Sequence, residues 1–124
     1  MAVVELTETT FEAQVSSNDL VLIDFWAPWC GPCRSFAPVY SAAAERHPEV
    51  LFAKVNTEEE QALAAHFEIR SIPTVMVIRD SVILAAQPGV LQAQALDAII
   101  EQAQALDMDA VRRQLEQAGS DAAA

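Results

Sequence analysis

"LIDFWAPWCGPCR", residues 22–34, contains both cysteines of the chain, and how it is read decides the fold. It closes a nearly continuous apolar run, "LVLIDFWA" (20–27), of the kind expected for a strand covered on both faces. From Pro32 to about His47 the pattern turns helical, with Pro38 inside it and a kink expected there, since proline lacks a donor and clashes with the carbonyl four residues back. Cys30 and Cys33 therefore sit where a strand ends and a helix begins. Residues three apart on a helix face one another across about 5–6 Å, within disulfide reach. Cys30 falls near the helix N-terminus, where free N–H groups and the dipole favour a thiolate. Cys33, one turn further in, is more sheltered and suits a resolving role. Gly31 allows close backbone approach, and Pro32 is preset for a first helical turn.

Two other uses of the cysteines fit less well. A structural zinc site needs four ligands, and the pair supplies two. His47 lies at a finger-like distance from Cys33, but positions 51–53 are Leu, Phe and Ala, and His66 falls beyond the next expected strand, so no metal site is assigned. The two histidines are expected to cap or decorate helix ends. A staple would close a loop of only two intervening residues, which adds little stability.

The chain has 124 residues, enough for one domain with an ordinary core. Its 52% hydrophobic and 20% charged residues are a globular composition. The net charge of −11, with seven basic residues, disfavours a phosphate backbone as partner. The N-terminal "MAVVELTETTFEAQ" has no basic n-region and no apolar h-region, and the apolar runs are far short of the roughly 20 residues that span a bilayer. A cytoplasmic protein without membrane contact is the expectation, and there cysteine pairs are more often catalytic or metal-binding than structural.

Along the chain, a strand is expected at Val3–Glu5 and a helix from about Glu8 to Val15, with Thr9 and Glu12 in capping-box spacing. "LFAKVNT" is the next strand, and Thr57 with Glu60 forms a second capping-box signal ahead of a helix. "TVMVI" and "VILAAQ", separated by "RDS", read as a hairpin. A helix from Leu91 to about Leu106 follows, with Leu91, Leu96, Ile99, Ile100 and Ala103 near one face. The result is an α/β fold with a central mixed sheet of about five strands flanked by helices. Residues 1–106 are expected to form the domain, and 107–124 an extension of one or two helical turns ending in a frayed tail.

"WCGPC" after "DFWAP", together with "KVNTE", "FEIRSIPTVMV" and the glycine of "QPGV" in that order, resembles the thioredoxin family over nearly the whole chain up to about Leu106. The wording is most similar to a bacterial branch that usually carries an N-terminal zinc module; that module's cysteines are absent here, and the chain resembles the catalytic domain alone. The resemblance implies the thioredoxin fold and specific roles. Asp24, which interrupts an apolar strand, could on its own be a desolvated proton shuttle or a carboxylate held by backbone donors. The match to the family's buried aspartate favours a general base for Cys33. Lys54, the only lysine, would lie beside it, although a lysine there could equally snorkel to the surface. Trp26 would pack under the loop, and Trp29 would offer substrates a flat apolar contact. Pro73 would be cis and lie against the cysteines, with Ile72 presenting backbone to an extended substrate. Gly89 would keep a side chain off that groove. Asp80-Ser81 stands where relatives commonly have a glycine-containing turn, which leaves its geometry open.

The expected activity is protein disulfide reduction through a Cys30/Cys33 dithiol–disulfide couple, with no bound cofactor. The couple would be regenerated by a flavoprotein thioredoxin reductase drawing on NADPH, and a monomer is expected. The alternatives are a binding or holdase module using the C-terminal helix, and a disulfide oxidase or isomerase on the same fold.

Overall fold

The computed structural model describes residues 3–123, with side chains through Ala118. Five strands form one sheet: β1 (Val3–Glu5), β2 (Leu20–Trp26), β3 (Leu51–Asn56), β4 (Thr74–Arg79) and β5 (Val82–Pro88). Their spatial order is β1-β3-β2-β4-β5. β1, β3 and β2 are parallel, and β4 and β5 run antiparallel to their neighbours, which is the mixed sheet expected. The helices are α1 (Phe11–Ser16), α2 (Gly31–Arg46), α3 (Gln61–His66), α4 (Ala93–Ala105) and α5 (Met108–Ala123).

The alternation of β2 sorts the two cores. Leu20 and Leu22 point towards α2 and α4, where Phe36, Tyr40, Leu96 and Ile100 complete a cluster. Val21, Ile23 and Phe25 point the other way, towards Phe11 and Val15 of the α1 side and Leu63 and Phe67 of the α3 side. By the same alternation Asp24 falls on the α2 face, under the helix that carries Cys33. Lys54 follows Phe52 onto that face by the same rule and stands opposite Asp24 in the β2–β3 register.

Both capping-box expectations fail. α1 begins at Phe11, and its cap is built from Thr7 and Thr10: the Thr7 N–H donates to Thr10 Oγ1 at 3.0 Å, and the Phe11 N–H donates to the Thr7 carbonyl at 3.0 Å. α3 begins at Gln61, because Asn56 already turns the chain, its Oδ1 accepting from the Glu58 N–H at 2.9 Å. Thr57 is drawn away from α3 and donates through N–H and Oγ1 to the Trp26 carbonyl at 2.8 and 3.0 Å. α2 runs unbroken through Pro38. His47 caps its C-terminus, with Nε2 2.7 Å from Asp97 Oδ1 on α4, and His66 ends α3, so both histidines sit at helix ends.

The β4–β5 connection is a two-residue turn with positive φ at Asp80 (50°) and Ser81 (66°). That is the handedness that matches strand twist, here reached without glycine. α5 extends as a helix to Ala123, farther than the one or two turns expected. Its start is fixed by a buried Met108 and by Arg79, whose Nη1 donates to the carbonyls of Ala103, Gln104 and Leu106 at 2.7, 3.0 and 2.8 Å. No helix among the described residues is long and apolar enough to cross a membrane.

Candidate active site

The site grows from the carboxyl end of β2. Strand pairing carries the chain to Trp26, and three successive carbonyls then accept from three different places. The Trp26 carbonyl takes the Thr57 donors, the Ala27 carbonyl takes the Cys30 N–H at 3.1 Å, and the Pro28 carbonyl takes Arg34 Nη1 at 2.9 Å. The loop is thus held from β3, from itself and from α2. Cys30 is the N-cap of α2, in extended conformation, with Gly31 and Pro32 opening the first turn.

Cys30 and Cys33 are joined as a disulfide, with Cα atoms 5.2 Å apart. Cys30 Sγ accepts the Cys33 N–H at 3.2 Å, so a free donor of the helix N-terminus points at the sulfur. Both residues are buried in a small cluster with Ala27, Trp26 and Ile72. Ile72–Pro73 is a cis peptide, and Cys30 Sγ lies 3.8 Å from the Ile72 carbonyl. The Pro73 carbonyl accepts the Gly89 N–H at 2.8 Å, which ties the end of β5 to the segment facing the sulfurs.

Around this centre the expected residues divide. Trp29 is 66% exposed, with its indole Nε1 donating to Glu58 Oε1. Trp26 is half-buried beneath the loop, and Lys54 Nζ lies 5.0 Å from its ring centroid. Asp24 is buried, and its Oδ1 has no hydrogen-bond partner. Burial pushes its carboxyl up to about 7, with the Lys54 charge pulling the other way. Tyr40, on α2, is pushed up in turn by its own burial and by the Asp24 charge. The sulfurs' own contacts run to the Cys33 N–H and the Ile72 carbonyl, and none runs directly to Asp24.

Gly89 has φ of +96°, yet a Cβ there would meet no atom within 4 Å. Backbone conformation, more than a crowded groove, therefore demands glycine at this position. A Cβ at Gly31 would likewise meet open space. The sequence reading missed Glu58, the partner of the exposed indole, and Arg34, the partner of the Pro28 carbonyl. Arg34 stands next to Cys33 in the opening stretch, but its reach back across the turn is a matter of rotamer. Glu58 is hidden in an acidic run that reads as a helix start.

The thioredoxin family profile matches residues 2–102. A thioredoxin 2 homologue of Streptomyces coelicolor is 54% identical over 110 residues, covering 89% of this chain and 82% of that protein. A thioredoxin of Porphyra purpurea is 47% identical over 81 residues, covering 64% and 76%. Among solved structures, a point-mutant thioredoxin from Halobacterium salinarum superposes with a TM-score of 0.79 at 33% identity, covering 85% of this chain and 93% of that one. Oxidised mitochondrial thioredoxin 3 of Saccharomyces cerevisiae gives 0.75 at 30% identity, covering 81% and 94%. With a paired Cys-x-x-Cys at the head of α2 and a cis-proline segment facing it, the chain belongs to the thioredoxin family and is a thiol–disulfide oxidoreductase.

Proposed function

We propose that the chain reduces disulfides in other proteins with Cys30 as the attacking sulfur and Cys33 as the resolving one. The Cys30 thiolate attacks one sulfur of the substrate disulfide, that bond breaks, and the departing substrate thiolate takes up a proton. The Cys33 thiol, after losing its proton, then attacks Cys30 Sγ in the mixed disulfide. The second substrate thiolate leaves and is protonated, and the Cys30–Cys33 disulfide remains. Two electrons have passed to the substrate.

Asp24 fits the role of base for Cys33, since it lies on the α2 face of the sheet and titrates near neutrality. Lys54 keeps that carboxyl from rising further. Trp29 supplies an exposed apolar platform, and the Ile72 backbone beside Pro73 offers strand-like pairing to an extended substrate, with Gly89 bracing the segment from behind. Regeneration falls to a flavoprotein reductase drawing electrons from NADPH, in the cytoplasm, with the chain acting as a monomer.

The observation that carries this reading is the Cys30–Cys33 pair capped by the Cys33 N–H and set against Ile72. NADPH-dependent, reductase-coupled reduction of insulin by wild type, Cys30→Ser and Cys33→Ser tests it. Loss of turnover in both variants is expected, and turnover indifferent to both would end the reading. A holdase acting through α5 would be insensitive to these substitutions, because α5 begins at the opposite end of the sheet from the sulfurs.

A further inference from the structure

Arg34 is the basic residue that follows Cys33 directly, in the first turn of α2. Arg46 is paired with Asp97 at 2.9 Å, Arg112 with Asp109 at 2.8 Å, and Arg79 is engaged by three carbonyls. Lys54 is folded over Trp26. Arg34 bonds a neutral acceptor, the Pro28 carbonyl, and no carboxylate pairs with it among the described residues. Its charge is therefore left unneutralised.

Its position is fixed at both ends. The Arg34 backbone N–H donates to the Cys30 carbonyl at 3.2 Å, in the first turn of α2, while its guanidinium reaches back to Pro28, two residues before Cys30. Backbone and side chain thus bracket the segment that holds Trp29, Cys30 and the disulfide. A positive charge near a thiol favours the thiolate.

We propose that Arg34 is a positioning residue for the exchange reaction: latched to the Pro28 carbonyl, its guanidinium braces the loop bearing Cys30 and holds a positive charge beside the attacking sulfur. This rests on Cys30 being the attacking sulfur. The latch lets charge and loop geometry act together. A guanidinium is well suited to this, since it can bond a carbonyl while keeping the rest of its charge open to solvent.

The test uses the reduced full-length protein, with Cys30 titrated by thiolate ultraviolet absorbance and by the pH dependence of iodoacetamide alkylation. Arg34→Ala is expected to move the Cys30 titration upward by about 0.5 unit, a small shift because the charge is exposed. That corresponds to about threefold slower alkylation below the titration point. Arg34→Lys, which keeps the charge, is expected to restore the wild-type profile, and added salt should shrink the difference between wild type and Arg34→Ala. Thermal melts of both variants should match wild type, because the side chain is exposed. An unshifted Arg34→Ala profile, or equal shifts in Arg34→Ala and Arg34→Lys, would overturn the proposal. Either result would leave disulfide reduction untouched, whereas Cys30→Ser retaining turnover would remove the reading beneath it.

Discussion

Asp24 on β2 stands directly beside Lys54 on β3 in the parallel register, and both fall on the sheet face covered by α2. The carboxyl is buried with one oxygen unpartnered, and its titration is raised from 3.8 to about 7. Because the folded state holds this proton more tightly than the unfolded chain, the unfolded chain loses it first as pH rises. No penalty exists below 3.8; it grows up to about 7 and is complete above that. A rise of that size corresponds to about 4 kcal/mol of stability lost at alkaline pH. Asp24→Asn should therefore stabilise the oxidised protein by about 2–4 kcal/mol above neutrality and hardly at all in acid, as urea titrations at two pH values would show. It should also slow turnover. A variant no more stable than wild type in alkali would contradict the raised carboxyl.

Lys54 opposes that rise, so Lys54→Met should drive the Asp24 titration higher still. Carboxyl-detected NMR of the oxidised protein reads this directly, and an unchanged or lowered Asp24 would break the coupling between the two residues.

The order of the two sulfurs predicts different products from the two serine variants. Cys33→Ser should accumulate a covalent adduct with a protein disulfide substrate, since the attack proceeds and the release does not. Cys30→Ser should form far less, because the sulfur assigned to the first attack is the one removed. Non-reducing gels after acid quench distinguish them, and an adduct of equal yield on both would reverse or dissolve the assignment.

Gly89 invites a substitution with a definite sign. Its φ of +96° is costly for any L side chain, while a Cβ there has room. Gly89→Ala should cost about 1–2 kcal/mol from backbone strain alone. Its effect on KM should be modest, because the N–H bond to the Pro73 carbonyl can survive. Chemical denaturation with substrate kinetics checks both, and a loss far above that range would mean a clash the geometry does not contain.

Glu58 holds the indole of Trp29, and both are at the surface. Glu58→Ala should leave stability within about 1 kcal/mol of wild type, the ordinary size of one exposed hydrogen bond. It should raise KM for a protein disulfide several-fold without lowering kcat, as should Trp29→Ala to a larger degree. Equal KM values in all three proteins would remove Trp29 from substrate contact.

Much of this was legible in the sequence, and the rest was lost for physical reasons. The apolar run 20–27 announced a strand covered on both sides, and alternation along it assigns Asp24 to one face. The Cys30–Cys33 spacing announced a pair bonded across one helical turn. Local polar signals were less dependable. Thr9 with Glu12 and Thr57 with Glu60 have the spacing of a helix start, but a hydroxyl takes whichever donor or acceptor the tertiary structure offers. Thr57 is claimed by the Trp26 carbonyl, thirty-one residues away in sequence. The Asp80-Ser81 turn lacks the glycine that would have declared its positive φ values. Arg34 and Glu58 could not be placed, since their partners depend on side-chain reach across a loop.

The β4–β5 turn and the start of α5 lie beside the Leu20 end of β2, while the sulfurs follow its Trp26 end. The chemistry and the root of the appendage are therefore antipodal. A fluorophore, purification handle or electrode linker attached at the first turn of α5 would hold the molecule by the end remote from its reactive rim.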